Sequence, residues 1–201
     1  MTMQHLFEAT EAHKNCEKCD LAIARKAKSQ SVCFGQGMSD AIGLIIADSP
    51  KYKDGDPAMV YPRDSEEWLM LKAIFDRVGI LDTDLYITSA IACKGIVNDI
   101  RSNHCRSRLS DLVSAISPRI VICLGHEALF AFAGKSEKTT SAIYGLVLQN
   151  DNYLVYHTRS INKYLETKRT NPTRAAEEAI GIMADWVNIK KLIDKITKGE
   201  L

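Results

Sequence analysis

The chain has no apolar run near the ~18–20 residues that crossing a bilayer requires. Met1 to Ala12 contains no apolar stretch of the kind a secretory signal carries. Neither a membrane span nor export is expected, so the location is read as cytoplasmic, intracellular and reducing. An excess of charge is also missing: 26 Lys and Arg stand against 25 Asp and Glu, a net charge of +1. Binding of nucleic acid through bulk charge is thereby excluded, and any basic surface must be local. No internal repeat, low-complexity tract or Pro/Gly-rich linker interrupts the 201 residues, so a single domain spanning 1–201 is expected. A hydrophobic fraction of 46% and a charged fraction of 25% suit a globular protein.

Four short segments are rich in apolar and β-branched residues: Ile42 to Ala47, Leu85 to Ser89, Arg119 to Leu124 and Tyr153 to Tyr156. Each reads as a strand buried on both faces. Helical patterns lie between and after them. Ser65 to Val78 opens on Ser-x-Glu and spaces Trp68, Leu71, Lys72 and Phe75 helically. Ser102 to Ile116 is a second, and Pro172 to Ile196 forms a long helical tail. The alternation predicts an α/β fold with a central, mostly parallel four-stranded sheet and helices on both faces. Ligands of such sheets bind beyond the carboxyl ends of the strands. Those ends carry Asp48, Ser49 and Pro50, then Ser89 and Cys93, then Gly125 and His126, and last His157.

Six cysteines in a reducing compartment are not expected to form disulfides. Cys16 and Cys19 make a C-x2-C pair, a spacing that lets two thiolates reach one metal centre. Cys93 and Cys105 form a wider pair with eleven residues between them. Together they supply four ligands, which ligand type alone assigns to neither zinc nor an iron–sulfur cluster. Cys123, inside an apolar strand, reads as a core residue, and Cys33 as core or loop and the first substitute ligand. His104 reads as a surface residue beside Cys105.

These segments resemble family 4 uracil-DNA glycosylases, the iron–sulfur type. Asn15 to Ala22 is similar to that family's opening cluster motif, and Val32 to Pro50 to its first strand and motif. Tyr86 to Lys94 is similar to the second strand with the third cluster ligand, and Pro118 to Leu129 to the next strand and helix. His157-Thr158-Arg159-Ser160 stands where the family has His-Pro-Ser. The resemblance spans roughly residues 15–165, with 172–198 as a helical tail. It implies a three-layer αβα sandwich and a 4Fe-4S cluster on Cys16, Cys19, Cys93 and Cys105. It further implies base excision from DNA, with Asp48 and His157 catalytic and Ser49, Pro50, Tyr61 and Ser89 around the base. Asp54 is a second candidate acid.

The chain departs from the family at several of these positions. Gly-Glu-Ala-Pro-Gly is here Ala47-Asp48-Ser49-Pro50-Lys51, without either glycine. Gly55-Asp56-Pro57 is followed by Ala58 where the family has a stacking Phe, which leaves Tyr61 as the aromatic in reach. Ser89 replaces a base-reading Asn, and a serine cannot make the same paired contact. Two readings follow: a glycosylase acting on uracil or a related pyrimidine, or a weak or inactive glycosylase fold kept as a DNA-binding or replication- or repair-associated module. A zinc-bound structural or regulatory protein is the third class. Two locally basic stretches, Lys94 to Arg119 and Asp151 to Arg174, follow strand ends and suit phosphate contacts. Arg101, Arg159 and Lys163 are the DNA-binding candidates within them, with Ile161 beside Arg159 as a wedge. The expected partners are DNA, single- or double-stranded, and a replication or repair protein.

Overall fold

A computed structural model describes residues 3–52, 58–136, 143–149 and 152–201. The strands are β1 (Gln36–Gly37), β2 (Gly43–Ala47), β3 (Leu85–Ser89), β4 (Ile120–Leu124), β5 (Val147–Gln149) and β6 (Leu154–Thr158). The described helices are α1 (Met3–Glu11), α2 (Asp20–Ala27), α3 (Glu66–Val78), α4 (Asp99–Ile116), α5 (His126–Ala133), α6 (Ile161–Thr170) and α7 (Pro172–Thr197). One sheet runs in the order β1-β3-β2-β4-β6-β5. Its four central strands pair in parallel, and β1 and β5 are antiparallel edges.

The α/β architecture is the expected one, but the sheet has six strands rather than four. Its four central strands are the four apolar runs, and every residue in them is buried. The two added strands have two and three residues, largely exposed, and are too short for composition to mark them as strands. Edge strands this short also discourage pairing with other chains.

Alternate residues of each central strand serve opposite faces, as the period of two requires. Ile45, Ile87, Ile122 and Tyr156 meet α3, α6 and α7 through Leu71, Phe75, Leu165 and Trp186. Leu44, Ile46, Val121 and Val155 meet α4 and α5 through Leu109, Ile116, Ala128 and Leu129. The result is three layers. The tail helix α7 belongs to the first core: Trp186 is fully buried and meets Phe75 edge-on at 5.2 Å, a contact worth roughly 1 kcal/mol beyond its buried area.

Local chemistry sets the helix ends. Ser65 caps α3 by accepting from the Trp68 N–H at 3.2 Å, and Gly79 closes it with φ 77°. The helix expected from Ser102 begins earlier, at Asp99, because the Asn98 side chain accepts from the Arg101 N–H at 2.9 Å. Asn171 caps α7, with Pro172 in its first turn. No described helix is long and apolar enough to cross a membrane.

Candidate active site

The carboxyl ends of β2, β4 and β6 meet at one edge of the sheet. Thr158 ends β6 beside Leu124, and the Gly125 N–H donates to the Thr158 carbonyl at 2.8 Å. Gly125 has φ 92°, and a Cβ there would lie 2.9 Å from the Ser160 Cβ. Only glycine lets the β4–α5 turn and the β6–α6 turn approach this closely. The turns bring His126 and Glu127 of α5 against the segment from His157 to Lys163.

Asp48 is tied to that segment across the sheet. Its Oδ2 accepts from Ser160 Oγ at 2.9 Å and Asn162 Nδ2 at 3.3 Å. The Ser160 oxygen also caps α6, accepting from the Lys163 N–H. Asp48 Oδ1 is buried without a hydrogen-bond partner among the described residues. Burial pushes the carboxyl above its ordinary value, opposed by the Ser160 hydrogen bond and reinforced by the charge of Glu127.

His157 is 1% exposed. Its ring lies 4.6 Å from that of His126 and 4.8 Å from that of Tyr144. His126 is stacked in turn on Phe130 at 5.5 Å, and the Arg159 guanidinium sits over Tyr144 at 4.8 Å. Burial lowers the His157 pKa to about 4, with His126 adding to the shift, so the imidazole is neutral at pH 7. Neither of its ring nitrogens has a well-formed hydrogen bond among the described residues.

The remaining expected base contacts are all buried. Ser49 is 5% exposed, and Pro50 is buried beside it. The Ser89 hydroxyl donates to the Ile91 carbonyl at 2.8 Å, so its proton is committed to the backbone. Tyr61 is 1% exposed in the α3 core, close enough to Asp48 to feel its charge. Asp54 and Gly55-Asp56-Pro57 lie outside the described residues.

Each expected DNA-binding cation is held in an ion pair. Arg101 grips Asp20 through Nε at 3.0 Å and Nη2 at 2.6 Å. Arg159 meets the buried Asp185 at 2.8 Å, and Thr158 donates to the same oxygen at 2.7 Å. Lys163 meets Glu127 at 2.7 Å. Arg159 and Lys163 border a cleft of about 370 Å³ next to His157, together with Tyr144, Tyr164 and Arg174. The other basic stretch does not gather at this edge. Arg119 precedes β4 and binds the Leu201 carbonyl, and Arg108 is buried.

Cys16, Cys19, Cys93 and Cys105 line one cavity, with His13, His104 and Arg108. Cys33 and Cys123 are buried and do not line it. Burial raises the Cys93 thiol to about 11 and raises Cys105 as well. Arg108, 3% exposed, donates to Thr88 Oγ1 at 2.9 Å and to the Ser89 carbonyl. Its Nε is unpartnered, and it has no carboxylate ion pair among the described residues. No three His, Cys, Asp or Glu side chains of the described residues are set to hold a single metal ion.

The family model of the uracil DNA glycosylase superfamily matches residues 55–181, more than half of the chain. The chain belongs to the uracil DNA glycosylase superfamily. The match takes in Ser89, Cys93, Cys105, Glu127, His157 and Lys163. Asp48 and the Cys16/Cys19 pair lie before it. No curated protein matches the chain.

Several neighbours of Asp48 and His157 escaped the sequence reading. Glu127 and Asn162 belong to no conspicuous pattern in the sequence, and Ser160 stands there only as the last residue of His157-Thr158-Arg159-Ser160. His126, named at the end of the third apolar run, opens α5. The rule that sites lie beyond strand ends pointed at Gly125 and His126, one residue short of Glu127.

Proposed function

We propose that this chain excises a pyrimidine, uracil or a close relative, from DNA by hydrolysing the N-glycosidic bond. One observation carries the reading. Among the described residues, six buried polar atoms at the sheet's carboxyl edge have no well-formed hydrogen bond: Asp48 Oδ1, His126 Nδ1, Glu127 Oε2, both His157 ring nitrogens and Asn162 Oδ1. Leaving such groups unpaired costs about 1–3 kcal/mol each. Folded proteins carry a concentration of this kind where a polar ligand completes it.

A base flipped from the stack supplies polar edges for these atoms. His157, as a neutral imidazole, donates an N–H to the base oxygen on which negative charge grows. Asp48, anchored by Ser160 and Asn162, keeps Oδ1 free to orient water toward C1′ and take its proton. A base reaching His157 must stack against Tyr144 or displace it, since that ring lies over the imidazole.

The four-thiol cavity is read as the seat of a 4Fe-4S cluster on Cys16, Cys19, Cys93 and Cys105. The support is the shared cavity and Arg108, a buried cation without a carboxylate partner. Burying a lone cation costs several kcal/mol, and a thiolate-bound cluster is an anion that offsets it. Such a cluster would cross-link the N-terminal segment to the loop after β3. Free thiols also fit a reducing, intracellular setting.

The second reading, a fold kept for DNA binding or association with replication or repair, is favoured by Ser89, whose hydroxyl is turned to the backbone. Mass-spectrometric detection of free base decides between the two. Cluster-loaded protein is incubated with single strands carrying uracil, another modified pyrimidine or none. Release of one base class supports excision; measurable binding with no release at enzyme excess supports the second reading.

A further inference from the structure

Glu127 stands in the first turn of α5, just beyond β4. Its Oε1 accepts from Lys163 Nζ at 2.7 Å, while Oε2 is buried without a well-formed hydrogen bond among the described residues. Asp48, beyond the neighbouring strand β2, is arranged alike, with Oδ2 held by Ser160 and Asn162 and Oδ1 buried without a partner among the described residues. The two carboxylates act on one another electrostatically, and Glu127 also acts on the fully enclosed His157. Two acids following adjacent strands thus fix one oxygen each and, among the described residues, leave the other enclosed and without a well-formed bond at the same end of the sheet. We propose that Glu127 is a second catalytic carboxylate, a fixed negative charge beside the sugar of the bound nucleotide. This rests on the excision reading of the pocket.

The surroundings of the two acids differ in the way that separates roles. Burial raises both, but in Glu127 the Lys163 hydrogen bond, a hydrogen bond to its own backbone N–H and the charges of Lys163 and His126 together outweigh it and hold the group below its ordinary value. Asp48 has no such cation bonded to it and stays raised. As the bond from C1′ to the base breaks, its electron pair leaves with the base and C1′ becomes cationic. Glu127 remains ionised and stabilises that charge. The water oxygen bonds to C1′ and its proton passes to Asp48 Oδ1. The base anion, steadied by the His157 N–H, takes its proton from solvent. Water is the only co-reactant.

The test compares two oligonucleotides that differ at one sugar. One carries a pyrrolidine abasic analogue, cationic at neutral pH; the other carries the neutral tetrahydrofuran analogue. Wild-type protein is expected to prefer the cationic strand about tenfold, and Glu127→Gln to lose the preference with tetrahydrofuran affinity kept within about twofold. Glu127→Asp should recover part of it. Equal preference in wild type and Glu127→Gln overturns the proposal, as does a wild type with no preference. Joint loss of both affinities in Glu127→Gln also overturns it, because Glu127 then shapes the fold rather than the charge. Failure of the excision reading shows separately, as wild-type protein that releases no base.

Discussion

The His126 and His157 rings lie 4.6 Å apart, tilted by 30°, where β4 and β6 end side by side. Burial disfavours the charged form of His157, and the neighbouring His126 adds to that. The folded His157 pKa of about 4 lies below the ordinary 6.5. Between those values the unfolded chain binds more protons. The stability is therefore complete above pH 6.5 and is lost as the pH falls toward 4, by up to about 3 kcal/mol. Melting curves at pH 7 and pH 4.5 should show a smaller acid-side loss in His157→Gln than in wild type. Equal losses would contradict the account.

Asp48 carries the opposite sign. Its folded pKa is raised, so its contribution to stability is present at low pH and fades as the pH rises through the raised value. Asp48→Asn is expected to melt no lower than wild type at pH 7, while excision falls by about 10²-fold or more. The acid limb of the wild-type rate should lie above the ordinary carboxylate range. A variant that loses both stability and activity would make Asp48 a structural residue.

Much of this arrangement was legible in the residues. The apolar runs Ile42 to Ala47, Leu85 to Ser89, Arg119 to Leu124 and Tyr153 to Tyr156 read as strands buried on both faces, and the strands they form, Gly43–Ala47, Leu85–Ser89, Ile120–Leu124 and Leu154–Thr158, are buried throughout. Burial on both faces puts a site at their carboxyl ends. Gln36–Gly37 and Val147–Gln149 were hidden because an edge strand gains its pairing from a neighbour rather than from its own composition. Basic residues counted along the chain gave no sign of Asp20, Asp185 and Glu127, which the fold brings from as far as 81 residues away. Glu127 and Asn162 were invisible for the same reason: their meaning lies in what they face.

That pairing of cations leads to a prediction about DNA. Arg101, Arg159 and Lys163 are each neutralised by a carboxylate. The slope of log affinity against log salt should be shallow, about −1 to −2. A slope near −5 would mean that other cations carry the contact. Arg159→Ala should act chiefly on the fold, because it strips a partner from buried Asp185. A loss of roughly 2–3 kcal/mol is expected, or about 5–10 °C in Tm. Lys163→Ala removes an exposed pair worth less than about 1 kcal/mol and should melt near wild type.

The thiol cavity separates the six cysteines. Cys16→Ala, Cys93→Ala and Cys105→Ala should each lose iron and the visible absorption near ~400 nm expected of thiolate–iron charge transfer. Cys33→Ala and Cys123→Ala, whose side chains lie outside the cavity, should keep both. Full iron content in Cys105→Ala would remove it from the ligand set.

The central claim is that the unpaired groups around Asp48 and His157 excise a base. Single-turnover incubation with a single strand containing one uracil, followed by alkaline cleavage of abasic sites, tests it most directly. The account predicts cleavage by wild-type protein that falls by about 10²-fold in both His157→Ala and Asp48→Asn. Cleavage unchanged by either substitution, or none at enzyme excess while the strand stays bound, would contradict it.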